Sequence, residues 1–231
     1  MIARLVPLEA LRGERHFRWR GGDVSRVEAL SDSVFALAIT LLILSTEVPK
    51  NYEEFRAMLE GLPAFAASFA LFVLLWYYHF QFHRRFGLEN LYTVFLNVCL
   101  LFLILVYVYP AKFLFTALSD GLLFGRERYF PVQLMLFYSS GVVGIFLLYT
   151  LMYLHAYKHR EVLGLNDVEV HMTRATIREH LIHTGVGVAS VLLAMGGLGK
   201  LSGLIYLLVG PLQGVNGWLS GRAVRSGRVA A

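Results

Sequence analysis

Residues 26–49 read RVEALSDSVFALAITLLILSTEVP, and the rest of the chain is organised around them. The stretch opens on Arg26, passes the polar turn Ser31-Asp32-Ser33, runs apolar to Leu44 and stops at Pro49. Charged groups guarding one end of an apolar helix are costly in lipid, and they usually face a bundle interior or a water path. The stretch therefore points to a membrane helix that lines an ion pathway, with other helices holding it in place.

The surrounding sequence fits a membrane protein. Of 231 residues, 57% are hydrophobic and 16% charged, and the mean hydropathy is +0.58. Soluble domains rarely carry that balance. The net charge of +5 lies in segments between apolar runs. That distribution is a topology signal, not a nucleic-acid footprint, so no nucleic-acid partner is expected. Cys99 is the one cysteine, which excludes an intrachain disulfide and a cysteine-based metal site. The first 20 residues are basic without a continuous apolar run and do not read as a cleaved signal. Residues 1–25 read as a solvated or interfacial cytoplasmic arm, and residues 26–231 as the membrane domain.

Six apolar segments are predicted, at 30–48, 62–83, 93–117, 132–154, 180–198 and 201–219. Each approaches the ~20 residues that cross the hydrocarbon core. The third contains Pro110 and is expected to kink there or to leave the membrane. The last two are Gly-rich and divided at Gly199-Lys200, as in a tight helical hairpin. The pairs Gly199/Gly203, Gly210/Gly214 and Gly217/Gly221 have small-xxx-small spacing, which permits close packing but also arises by chance in Gly-rich helices.

Loop charge sets the orientation. Arg4, Arg12, Arg15, Arg18 and Arg20 precede the first segment, and Arg84 and Arg85 follow the second. Lys158, Arg160, Arg174 and Arg178 follow the fourth, and Arg222, Arg225 and Arg228 end the chain. The intervening loops are acidic (Glu47, Glu53, Glu54, Glu60) or mixed (Asp120, Arg126, Glu127, Arg128). The positive-inside rule then places both termini in the cytoplasm, which agrees with six spans. Residues 157–179 form the one long polar connection, in which Asn166-Asp167 caps a short helix leading into the fifth span.

On a 3.6-residue helix, Ser33, Leu37, Thr40, Leu41 and Leu44 share one stripe, and Val34, Ala38, Leu42 and Ser45 a neighbouring one. Facing a common axis in several subunits, the first stripe gives a polar vestibule, then apolar rings at Leu37, Leu41 and Leu44 with a hydroxyl layer at Thr40. Such a constriction gates by dewetting. The same leucines would serve equally in contact with lipid or core. Arg26 and Asp32 are six residues apart and do not share a helix face. Arg26 either pairs with another helix or sits at the interface, while Trp76 and His79 are candidate partners for Asp32.

The stretch resembles the signature of the transmembrane protein 175 family, potassium channels of endosomes, lysosomes and prokaryotes without a P-loop. That signature is Arg, three residues, Phe-Ser-Asp and an apolar helix with Thr-Leu-Leu. Arg26, Ser31, Asp32 and Thr40-Leu41-Leu42 match it, with Leu30 in place of the usual Phe. Trp76 and His79 in the second segment, and Asn97 and Pro110 in the third, match further features, so the likeness covers roughly the first half. The resemblance implies an all-α protein with six transmembrane helices per subunit, a pore-lining first helix and a homotetramer around a central pore. It implies an apolar constriction at Leu37, with rings at Leu41 and Leu44. It assigns potassium preference to the Thr40 hydroxyl, and a structural and gating network to Arg26, Ser31, Asp32, Trp76, His79 and Asn97. Some members carry Ser where this chain has Ala36. Potassium is the permeant species, no cofactor is expected, and the location is a prokaryotic cell membrane.

The sequence holds no TVGYG-like segment, and helical carbonyls are already bonded, so selectivity falls to the Ser33 and Thr40 hydroxyls and is modest. The pairs His79/His83 and His155/His159 have metal-binding spacing, but they lack the protease glutamate and read as interfacial, pH-responsive groups. The second functional class is a proton-coupled transporter using Asp32 and His79. The absence of a convincing repeat between residues 30–117 and 132–219 counts against it. An enzyme would need convergent acid and base groups that the spans lack.

Overall fold

Ser25 begins the first helix. Its hydroxyl accepts from the Glu28 amide, and the Glu28 carboxylate accepts from the Ser25 amide, a reciprocal cap that ends the preceding arm. Helix α1 then runs Arg26–Leu44. The computed structural model describes residue 14 and residues 17–126 and 132–225, with side chains to residue 222. The basic residues Arg4, Arg12, Arg15, Arg128 and Arg228, the acidic Glu127 and the Arg225 side chain lie outside the described residues.

The remaining elements are α2 (Tyr52–Glu60), α3 (Leu62–Phe86), α4 (Leu91–Phe124), α5 (Val132–Lys158), α6 (Asp167–Met195), α7 (Gly199–Leu204), a 3-10 turn (Ile205–Leu208) and α8 (Val209–Arg225). Among the described residues the protein is all-helical. Helices α1, α3, α4 and α5 are long and apolar enough to cross a membrane. Their buried faces meet in one core that includes Phe35, Phe72, Leu100, Ile104, Ile145 and Tyr149.

Several boundaries differ from the sequence expectation. The acidic loop after the first span contains α2, started by Asn51, whose side chain accepts from the Glu54 amide. The third predicted span is a 34-residue helix that passes through Pro110 and ends at Gly125, φ 62°. The polar connection is shorter than expected. Helix α5 reaches Lys158, Asn166 caps the next helix, and α6 is continuous for 29 residues instead of a short helix followed by a span. The hairpin turns at Gly196-Gly197-Leu198, where Gly197 has φ 78°, within the glycine-rich stretch Gly196-Gly197-Leu198-Gly199 that reads as a turn between the last two spans. A Cβ at Gly210, Gly214 or Gly217 would meet nothing within 4 Å among the described residues, so no close approach there requires glycine.

The described part of the arm is exposed at Arg18, Gly22, Asp23 and Val24 but docked at other residues. Phe17 is buried. Arg20 donates to both Glu169 oxygens (3.0 and 2.6 Å) and to the carbonyls of Leu163 (2.6 Å) and Gly164 (2.9 Å). Arg85, counted as a loop cation, lies within α3 and is buried, with its guanidinium bidentate on Glu14 (2.9 and 2.6 Å). Gly21 is required because a Cβ there would lie 2.5 Å from the His83 carbonyl oxygen. The arm thus ties the start of α1 to the C-terminal end of α3 and the N-terminal end of α6.

Candidate ion pathway

Helix α1 has two unlike faces. Glu28, Ser31, Phe35, Ala38 and Leu42 are buried at alternating steps of three and four residues, the spacing of one helical face. The sequence-derived stripe lies away from them. Ser33, Leu37, Thr40 and Leu44 are exposed, with Leu37 at 48% and Leu44 at 70%, while Leu41 is half-buried at the edge. The Ser33 hydroxyl donates to the Ala29 carbonyl (2.8 Å) and that of Thr40 to the Ala36 carbonyl (2.8 Å). With each proton spent on the helix itself, the oxygens present lone pairs outward, the polarity a cation requires.

The buried face is held by directional bonds. The Ser31 hydroxyl donates to the Val27 carbonyl (2.7 Å) and accepts from the Asn97 amide nitrogen (2.9 Å). Asn97 therefore turns its oxygen to His79 Nε2, 2.8 Å away. That nitrogen must carry the proton, which fixes the imidazole tautomer. A single donor direction runs from α3 through α4 to the backbone of α1, and all three side chains are buried. One residue along, the Trp76 indole donates to Asp32 Oδ1 (2.8 Å) and stacks on Phe80.

The candidate residues thus form two connected sets, Ser31–Asn97–His79 and Asp32–Trp76. His79 is bonded to Asn97 and not to Asp32, so the two groups of the transporter reading are not joined. Arg26 is exposed and makes no hydrogen bond or ion pair with the described residues, so it stands outside both sets. Among the described residues, no three His, Cys, Asp or Glu side chains gather as a metal site. The His155 and His159 rings lie 4.4 Å apart and tilted by 52°, and His155 Nε2 is engaged by the Asn90 side-chain amide at 2.7 Å.

Two contacts to α1 escaped sequence reasoning. The Lys112 ammonium, from α4, reaches the end of α1 at the Leu42 carbonyl (3.1 Å), Ser45 Oγ (2.6 Å) and Thr46 Oγ1 (2.9 Å). A lone cation inside a long apolar run, two residues after Pro110, is the signal that marks it. At the other end, Arg84 donates to the Gly22 carbonyl (2.8 Å) and approaches Glu28 at 3.9 Å.

Residues 26–110 match the family described as endosomal/lysosomal potassium channel TMEM175. A potassium channel of Marivirga tractuosa is 36% identical over 229 residues, covering 91% of this chain and 93% of its own length. A potassium channel of Streptomyces collinus is 34% identical over 98 residues, 40% of this chain and 48% of that protein. The fold is similar to a crystal structure of a threonine-to-alanine variant of the potassium channel MtTMEM175 bound to a nanobody–MBP fusion. The TM-score is 0.79 at 36% identity, over 91% of this chain and 99% of that one. The likeness thus extends through the second half, where the sequence offered only apolar spans. The chain is an integral membrane protein and belongs to the TMEM175 family.

Proposed function

We propose that this chain conducts potassium across a membrane through a path lined by α1 from four identical copies. The observation that carries the reading is the division of α1 into an anchored face and an exposed face bearing Ser33, Leu37, Thr40 and Leu44. One helix cannot enclose a pore, so several copies must contribute. Rings of Leu37, Leu41 and Leu44 form the constriction, and an ion passing them sheds most of its water. Helical carbonyls are engaged, so the hydroxyls of Thr40 and Ser33 are the polar ligands left. Sodium has the greater dehydration cost, and two hydroxyl layers recover little of it, so potassium is preferred modestly. A difference of only ~1.4 kcal/mol supplies a factor of ten. Potassium is cargo, and the path needs no cofactor. In this reading α6 and the α7–α8 unit complete six spans with both termini in the cytoplasm.

The test is potassium and sodium flux in liposomes containing purified protein, for wild type, Leu37→Asn and Thr40→Ala. Wild type is expected to carry potassium faster than sodium. Leu37→Asn should raise conduction, and Thr40→Ala should lower the ion preference. No flux under a potential refutes the channel. Flux that needs a proton gradient and ignores both substitutions instead favours a carrier built on Asp32 and His79.

A further inference from the structure

We infer that Lys112 is a positioning residue for the outer end of the pathway, holding the last turn of α1 so that Leu44 and Thr40 keep their place. The pathway part rests on the function proposed above. The anchoring itself rests on the contacts of Lys112 alone.

The last four carbonyls of a helix have no intrahelical partner and need an external donor. Two usual devices are missing at this end. The residue after the Ser45 cap is Thr46, with no left-handed glycine, and the last turn contains no basic residue. Lys112 supplies both a donor and a cation from another helix. Its three protons have three acceptors, the Leu42 carbonyl, Ser45 Oγ and Thr46 Oγ1. Ser45 Oγ in turn donates to the same Leu42 carbonyl at 2.7 Å. Lysine has exactly this capacity of three donors and no acceptor, and charge-assisted bonds of this kind are the stronger class.

The position gives the contact its consequence. Leu44 lies within the clamped turn. Thr40 lies five residues before Ser45, about 7.5 Å along the axis at 1.5 Å per residue. The amide of Leu44 is four residues beyond Thr40, so loosening the last turn would release the Thr40 carbonyl beside its hydroxyl. Such a change alters both the width at Leu44 and the ligands offered at Thr40. A lysine that served only to fill space would leave both unchanged.

Full-length protein in lipid nanodiscs and liposomes tests this with wild type, Lys112→Met, Lys112→Arg, Thr46→Val and Thr40→Ala. The first readout is amide hydrogen exchange across residues 42–48, with the α5–α6 core as the folding control. Lys112→Met should accelerate exchange at Ser45 and Thr46 about tenfold while the core stays protected. Thr46→Val, which removes one acceptor and leaves the lysine, should give a smaller acceleration. The second readout is the potassium/sodium permeability ratio at ~0.1 M and ~1 M salt, where charges are screened beyond about 10 Å and 3 Å. Lys112→Met should lower the ratio at both concentrations, and Lys112→Arg should restore it. Wild-type exchange in Lys112→Met and in Thr46→Val overturns the anchor. A change in ratio that disappears at high salt also overturns it, because the ammonium would then act only through its field. If Thr40→Ala leaves conduction and ratio untouched, the pathway assignment fails, while the exchange result still decides the anchor.

Discussion

Replacing Asn97 by Leu removes the middle of the bond chain that fixes the rotation of α1. Two bonds are lost, 2.8 Å to His79 Nε2 and 2.9 Å to Ser31 Oγ. The two neighbours are affected differently. Ser31 retains its own donor bond to the Val27 carbonyl, so it loses only an incoming donor. His79, 1% exposed, is left with an N–H that water cannot reach. A stranded buried donor costs about 1–3 kcal/mol and the second bond about 1 kcal/mol, so Asn97→Leu should cost about 3 kcal/mol. For a chain of this size, that lowers the melting temperature by roughly 6–12 °C. Intrinsic fluorescence melts of purified protein in one detergent, with size exclusion to confirm assembly, measure it. His79→Phe removes the stranded donor, so the double variant should recover about 1–2 kcal/mol of the loss. A single-variant shift below about 2 °C, or a double variant at the sum of its singles, would refute the coupled chain.

The other predictions concern the docked arm and the core. Arg20→Met strands Glu169, which is 1% exposed, and should cost about 3 kcal/mol, read as faster amide exchange in residues 163–170. Adding Glu169→Leu should restore most of it, and equal exchange in all three variants would count against the clamp. Burial pushes the Glu169 carboxyl up, but Arg20 and the amides of Asn166 and Arg18 outweigh that and hold it below its usual value. Its contribution is therefore complete above the ordinary carboxylate range and lost as pH falls through the lowered value. Acid titration should release residues 17–22 only below that range, and Glu169→Gln should abolish the transition. Gly21→Ala places a methyl 2.5 Å from the His83 carbonyl oxygen and should cost about 1–3 kcal/mol, seen as protease sensitivity of the arm. Tyr149→Phe deletes a buried 2.6 Å bond to the Leu75 carbonyl and should cost about 1 kcal/mol in the same melts.

The parts of this protein legible from its sequence were those written in local periodicity. The apolar runs at residues 62–83 and 132–154 lie within α3 and α5, and Asn166 caps α6 as its spacing implies. The stripe from Ser33 to Leu44 could be drawn on a wheel, but its exposure could not. Phe35 and Leu37 are equally apolar, and only the packing of α4 and α3 against one side buries the first. The pairing of Asp32 with Trp76 was one of two options that hydrogen-bonding capacity allowed. His79 was drawn away by Asn97, a competitor on another helix. Arg20 read as one more topology charge. Its partner Glu169 is 149 residues away, and no local pattern announces a contact at that separation. Helix α2 was missed because four acidic residues read as loop, although Asn51 with Glu53 and Glu54 is a helix-start signal.

Exposure alone does not make the α1 face a pathway. Leucine on a lipid-facing helix costs nothing, and Ser33 and Thr40 are content with their own backbone. The stronger evidence is on the opposite side. A helix that only needs to meet lipid is held adequately by non-directional packing and is free to settle at any rotation that buries its larger groups. Helix α1 is instead fixed at four levels. The Ser25–Glu28 cap with Arg84 holds the start, Ser31–Asn97–His79 and Asp32–Trp76 follow, and Lys112 holds the end. The bonds from Asn97, Trp76 and Lys112 come from other helices and are angle-dependent, so together they set the rotation about the helix axis. One residue corresponds to about 100° of that rotation, the difference between presenting Thr40 and presenting Ile39. Such control is superfluous for a face that meets fluid lipid. It is what the proposed channel requires, in which this face meets its own copies around an axis and places one hydroxyl in register with the others.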